Sequence, residues 1–124
     1  MDASQRGKIL FKFASLMDRD SKYLAELESL DNGKPLKDAI ADVQVAVAMV
    51  EYYAGWADKI HGKTIPSPEN QFTYTKVEPV GVCGQIIPWN FPIVMFVFKL
   101  APSTATGCTV IIKPAEQTPV SFNL

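Results

Sequence analysis

The 124-residue sequence carries a single histidine, His61, and only two cysteines, Cys83 and Cys108. There is no CxxC motif and no histidine at ligand spacing, which excludes both a metal site and a disulfide framework and suits a reducing compartment. Long blocks of like charge are also missing: 12 Lys+Arg stand against 13 Asp+Glu, for a net charge of −1. Nucleic acid and anionic membranes are therefore excluded as expected partners, leaving a small molecule or another protein. The apolar run from Ile93 to Leu100 is far short of the about 20 residues that cross a bilayer, and Pro88, Asn90, Pro92 and Lys99 interrupt its surroundings. No repeat, low-complexity tract or GxGxxG phosphate loop occurs. What the chain does have is 48% hydrophobic residues. That is ample for one modest domain, which at this size buries somewhat under about 70% of its unfolded surface.

Apolar periodicity predicts three helices first. From Asp2 to about Arg19, Ile9, Leu10, Phe13, Leu16 and Met17 recur at three- and four-residue spacings. A second helix runs from about Ser21 to Leu30 and stops at Asp31-Asn32-Gly33, since Asn and Gly accept the left-handed conformation. The third runs from near Pro35 to about Ile60, with Ile40, Val43, Val47, Val50, Tyr53 and Trp56 as its buried stripe. His61 to Gln71 reads as a loop, and His61 as a surface residue. Phe72 to Val80 alternates like an exposed antiparallel strand, and Val82 to Ile87 is continuous enough for a buried one. A nearly all-apolar helix follows, then a second buried strand from Cys108 to Ile112: a βαβ unit with parallel strands. The two cysteines, in or beside these strands, are expected as small buried hydrophobes.

The ends suggest a piece of a longer chain. Met1 opens directly onto an amphipathic helix with no targeting segment before it, and Thr118-Pro119 is a helix start with five residues after it.

In a parallel βαβ unit, ligands bind beyond the carboxyl ends of the strands. Two polar clusters fall there, Ile87-Pro88-Trp89-Asn90 after the first strand and Lys113-Pro114-Ala115-Glu116 after the second. Taken alone, each has an ordinary alternative: Asn90 as a helix cap, Ile87 and Trp89 as core, Lys113 and Glu116 as a solvated loop. Phe91, Met95 and Phe98, at i, i+4 and i+7, share one face of the following helix, and such a stripe is also commonly core.

"EPVGVCGQIIPWNFP", "ATG" and "KPAEQTP", with "LESLDNGKP" and "YYAGWADKIHGKTIP" upstream, resemble the N-terminal part of the cofactor-binding domain of NAD(P)-dependent aldehyde dehydrogenases. The likeness is greatest to the tetrameric cytosolic and mitochondrial retinal and acetaldehyde dehydrogenase group, and it covers essentially the whole chain. It implies an incomplete α/β fold: residues 1–61 the helical part of the N-terminal cofactor-binding domain, 62–80 a loop and a protruding oligomerisation strand, and 81–124 the first βαβ of a Rossmann-like NAD-binding domain. It further implies a cytoplasmic or mitochondrial-matrix homotetramer that oxidises an aldehyde to a carboxylic acid with NAD+. In that family a cysteine thiolate attacks the aldehyde, hydride passes to the nicotinamide, and the resulting thioester is hydrolysed.

By resemblance, Asn90 donates its amide N–H to the oxyanion, Ile87, Pro88 and Trp89 line the cofactor cleft, and Lys113 and Glu116, with Pro114 and Ala115 between them, hold the adenosine ribose. Phe91, Met95 and Phe98 line the aldehyde tunnel. The family's nucleophile, general-base glutamate and GxTxxG-type segment lie beyond Leu124, so neither Cys83 nor Cys108 is the nucleophile and this chain alone is expected to be inactive. Phe98 stands where tryptophan is common, Ala101 where glycine is, and Cys108 where asparagine is, departures that bear on substrate preference. The rival expectation is a non-catalytic truncated product or a crystallin-like structural protein of the same family.

Overall fold

The structure, a computed structural model, describes residues 1–120. Helix α1 (Ala3–Arg19) starts where sequence chemistry places it: the Asp2 carboxylate accepts the Ser4 N–H at 3.2 Å and the Ser4 hydroxyl at 2.8 Å. Helix α2 (Ser21–Asn32) ends at Gly33, whose φ of 83° is left-handed and whose N–H donates to the Ser29 carbonyl at 2.9 Å. Helix α3 (Leu36–Trp56) begins after Pro35 and ends four residues before the expected Ile60.

The buried face of α3 is Ala39, Val43, Ala46, Val50 and Ala54. Of the expected stripe, Val43 and Val50 are buried, whereas Ile40 and Trp56 are exposed. At its carboxyl end α3 is approached closely by α1: a Cβ on Gly7 would sit 2.9 Å from the Ala54 carbonyl oxygen and 3.5 Å from the Ala57 Cβ. Leu10, Ala14 and Met17 of α1 pack on this face, and Ile93, Val97, Ala101 and Ala105 of helix α4 (Pro92–Ala105) complete the core. At 14 residues α4 is a core helix, and among the described residues no helix is long and apolar enough to cross a membrane.

Two strand pairs complete the fold. Strands β1 (Thr64–Ile65) and β2 (Thr73–Tyr74) form a short antiparallel hairpin, so the expected loop contains a strand, and the long strand expected over Phe72 to Val80 contracts to two residues paired locally. Strands β3 (Val82–Ile86) and β4 (Thr109–Lys113) are parallel, in register from Val82 opposite Thr109 to Ile86 opposite Lys113, and α4 crosses between them as the βαβ reading requires.

Neither β3 nor β4 is buried, contrary to expectation. On the face under α4, Gln85 is buried and its amide donates to the Lys99 carbonyl and the Ser103 hydroxyl, both at 2.8 Å. The opposite face has no cover among the described residues, and Val82, Ile86 and Ile111 lie there 69%, 69% and 68% exposed. A parallel sheet reads as continuously apolar because both faces are normally covered; here one layer of helix serves one face only. Cys83 and Cys108 are likewise only partly buried. The helix expected to start at Thr118-Pro119 falls largely on residues 121–124, outside the described residues.

Candidate active site

β3 and β4 end side by side. The Ile87 N–H donates to the Lys113 carbonyl at 3.0 Å, and the Lys99 ammonium donates to the Ile86 carbonyl at 2.6 Å, so both predicted clusters emerge from one edge of the sheet. Ile87 itself is 1% exposed. Pro88, Trp89 and Asn90 are exposed.

The turn after Ile87 leads into α4 with Phe91 at the N-cap position and Pro92 at the first helical position. Phe91 has no capping side chain to offer, and the Asn90 amide does not cap the helix in its place: its side chain makes no hydrogen bond among the described residues. Instead the backbone on either side of it is tied down. The Asn32 side-chain amide, from the end of α2, donates to the Trp89 carbonyl at 2.5 Å and lies 3.5 Å from the Asn90 carbonyl. The peptide is held and the side chain is left available.

Beneath this turn lies a charged cluster that no sequence spacing announced. Lys34 donates to Glu28 Oε1 at 3.0 Å and to Asp42 Oδ2 at 2.5 Å, and its ammonium sits 4.6 Å from the centroid of the Phe91 ring. Glu28 is 0% exposed. Burial pushes its carboxyl above the usual range, more than the hydrogen bond and charge of Lys34 and the nearby Ile93 N–H pull it down. For Lys34, desolvation acts downward, but the hydrogen bonds and charges of Asp42 and Glu28 outweigh it and leave the ammonium above its ordinary value. Glu28 Oε2 has no hydrogen-bond partner among the described residues. "DNGKP" had been legible only as a helix stop, so Asn32 and Lys34 were missed as neighbours of the site.

Trp89, Asn90 and Phe91 share a recess of about 490 Å³ with Asn32, Lys34, Asp38 and Asp42. Met95, Phe98, Lys113 and Glu116 do not line it. The stripe of Phe91, Met95 and Phe98 is not core, since Phe91 and Phe98 are exposed and the buried side of α4 is Ile93, Val97, Ala101 and Ala105. Past β4, the Lys113 ammonium lies 3.2 Å from the Pro114 carbonyl, the Thr118 N–H closes a turn onto the Ala115 carbonyl at 3.2 Å, and Pro114 and Ala115 are half-buried while Glu116 is exposed. Among the described residues no three His, Cys, Asp or Glu side chains gather as a metal site.

A parallel βαβ unit that presents an unpaired amide on a tethered turn, with a lysine and a carboxylate past the adjoining strand, defines an α/β protein with its chemistry at the carboxyl edge of the sheet. The Aldehyde dehydrogenase family model matches residues 1–124. The chain belongs to the aldehyde dehydrogenase family. It is 58% identical over 122 residues to retinal dehydrogenase 2 of Gallus gallus and 57% identical to the mitochondrial aldehyde dehydrogenase of Rattus norvegicus, in each case over 98% of this chain and 24% of the relative. The solved NAD+ complex of an aldehyde dehydrogenase from Bacillus cereus superposes with a TM-score of 0.95 at 50% identity, over 98% of this chain and 25% of that one. The chain thus spans about a quarter of the length of the relatives it matches.

Proposed function

We propose that this chain is part of a longer NAD-dependent aldehyde dehydrogenase, a cytoplasmic or mitochondrial-matrix homotetramer that converts a small-molecule aldehyde into a carboxylic acid. The observation that carries the reading is the state of Asn90: a neutral amide with no side-chain partner among the described residues, on a turn whose carbonyls are held by Asn32. Such a group costs nothing to reorient when charge develops on a substrate oxygen, and it adds no competing charge of its own. Donors of this kind are worth about 10²–10³ in rate.

The donor set past β4 fits a dinucleotide. Lys113 offers N–H groups and exposed Glu116 offers acceptor oxygens, the pair needed for the vicinal hydroxyls of a ribose, while Pro88 and Trp89 flank the approach. When bound, the nicotinamide group supplies the hydride acceptor. Glu116 also favours NAD+ over NADP+, because a 2′-phosphate at about 4 Å would meet a repulsion of about 4 kcal/mol at an effective dielectric of 20. On the substrate side, Phe91, Met95 and Phe98 form the apolar wall along which the aldehyde reaches Asn90.

The nucleophile of this reading lies outside the chain. Cys83 is at the amino end of β3, and the four residues from it to Ile87 span about 13 Å at strand rise, so its thiol cannot reach an aldehyde carbonyl held at Asn90. Cys108 precedes β4 at the same far end.

The test is Asn90→Ala in the full-length protein. Single-turnover hydride transfer is expected to fall about 10²–10³-fold with NAD+ affinity nearly unchanged; a rate within threefold of wild type removes the oxyanion role. Glu116→Gln is expected to raise kcat/KM for NADP+ and lower it for NAD+, and an unchanged ratio assigns Glu116 to the solvent.

A further inference from the structure

The corner between α2 and α3 meets the Asn90 turn at two points, although 57 residues separate Asn32 from Trp89. At the first, Asn32 holds the carbonyls of Trp89 and Asn90 through one side-chain amide nitrogen. At the second, the Lys34 ammonium lies against the face of Phe91, the residue after Asn90 and the last before α4. Lys34 cannot drift, because Glu28 at 0% exposure and partly buried Asp42 hold it from α2 and α3. From its own helix Phe91 is held only through its backbone, its carbonyl accepting the Met95 N–H at 2.9 Å, and its side chain makes no capping bond. The backbone before Asn90 and the ring after it are therefore both fixed by a different part of the chain, and the side chain between them is the group left without a partner.

We propose that Asn32 and Lys34 are positioning residues for the Asn90 amide: Asn32 fixes the peptide that carries it, and Lys34, anchored by Glu28 and Asp42, fixes the adjoining Phe91. This rests on the oxyanion role of Asn90 and names what sets its geometry. An amide that must meet a developing charge within a few tenths of an ångström needs its peptide plane fixed beforehand, and a displacement of about 1 Å is enough to cost about 10²-fold. Asn32 and Lys34 act through Asn90.

The deciding experiment is a double-mutant cycle in the full-length protein, read by single-turnover hydride transfer and by NAD+ affinity. Asn32→Ala is expected to slow hydride transfer roughly 10- to 100-fold and to leave NAD+ affinity within about twofold. In an Asn90→Ala background the same substitution is expected to cost almost nothing further, because the group it positions is gone. Asn32→Asp, which keeps the size but turns an oxygen toward two carbonyls, serves as the second variant should Asn32→Ala fail to fold, and is expected to be at least as slow. Lys34→Arg retains the cation over Phe91 and the two carboxylate partners and is expected to keep at least a third of the wild-type rate. Two results overturn the proposal while sparing Asn90: a normal rate in both Asn32 variants, or losses that multiply independently in the double mutant. If Asn90→Ala is itself as fast as wild type, the oxyanion reading fails and the proposal falls with it.

Discussion

Val43, Val50 and Val97 in the helical part have no exposed surface at all, whereas Val82, Ile86 and Ile111, residues of the same kind on β3 and β4, keep about two-thirds of theirs. Both regions are apolar in sequence. The difference is that four helices find each other's faces within this chain, while a two-stranded sheet with one helix on it has a second face that only other chain segments can cover. Each helix buries one face locally, although Ile9, Ile40, Tyr52 and Trp56 stay exposed on their other faces; the sheet buries one face and leaves the other open. The turn that carries Asn90 follows β3 and is tethered to the helical region through Asn32.

The largest expected effect strikes the helical region. Lys34→Met leaves buried Glu28 and partly buried Asp42 without their cation and should destabilise the full-length protein by about 3–5 kcal/mol in denaturant titrations. Replacing Glu28, Lys34 and Asp42 together by Leu, Met and Leu should recover most of that loss, since an apolar set needs no compensation. Next, Val97→Ala removes two fully buried methyl groups' worth of contact and should cost about 2–3 kcal/mol, measured the same way.

On the open face, Ile111→Thr should change the stability of the isolated 124-residue chain by no more than about 0.5 kcal/mol while reducing its self-association in sedimentation. If the proposed longer protein covers this face, the same substitution there should cost about 1–3 kcal/mol. Equal costs in both would erase the distinction between the regions.

The smallest effect is a pH dependence. Lys34 has its folded-state pKa raised above the ordinary 10.5, so its contribution is fully present below that value and is lost as pH rises through the folded pKa. Glu28, also raised, loses its contribution in a different window, from the ordinary 4.5 upward through its folded value. Melting temperature against pH should therefore decline in the alkaline range for wild type and decline less for the triple apolar variant.

Much of this arrangement was readable from residues alone. Asp2 and Gly33 mark helix boundaries through local chemistry, and the apolar strands around an apolar helix give a parallel βαβ. The Asn90 turn was readable for the same reason, since its two prolines and its place after a strand are local features. Burial was not. The stripe on α3 came out as Ala39, Val43, Ala46, Val50 and Ala54, because the buried face is set by where α1 and α4 dock, and sequence periodicity on α3 carries no record of that. The strands were read as buried because their composition suits a larger sheet than the one this chain forms by itself. Glu28, Asn32, Lys34 and Asp42 were invisible as site neighbours because their link to Trp89–Phe91 exists only after α2 and α3 dock.

The corner at Asn32 to Lys34 has a kinetic consequence. A hydrogen bond that joins residues 57 apart forms only after a long loop has closed, and closure entropy grows slowly but steadily with loop length. The amides around Asn90 should therefore become protected from hydrogen exchange late, in the same cooperative unit as the carboxyl end of α2 and not with the β3–β4 ladder. Order in the reactive turn is inherited from a helical hairpin assembled earlier in the chain, so on a ribosome the scaffold for that turn would be finished before the turn itself had been synthesised.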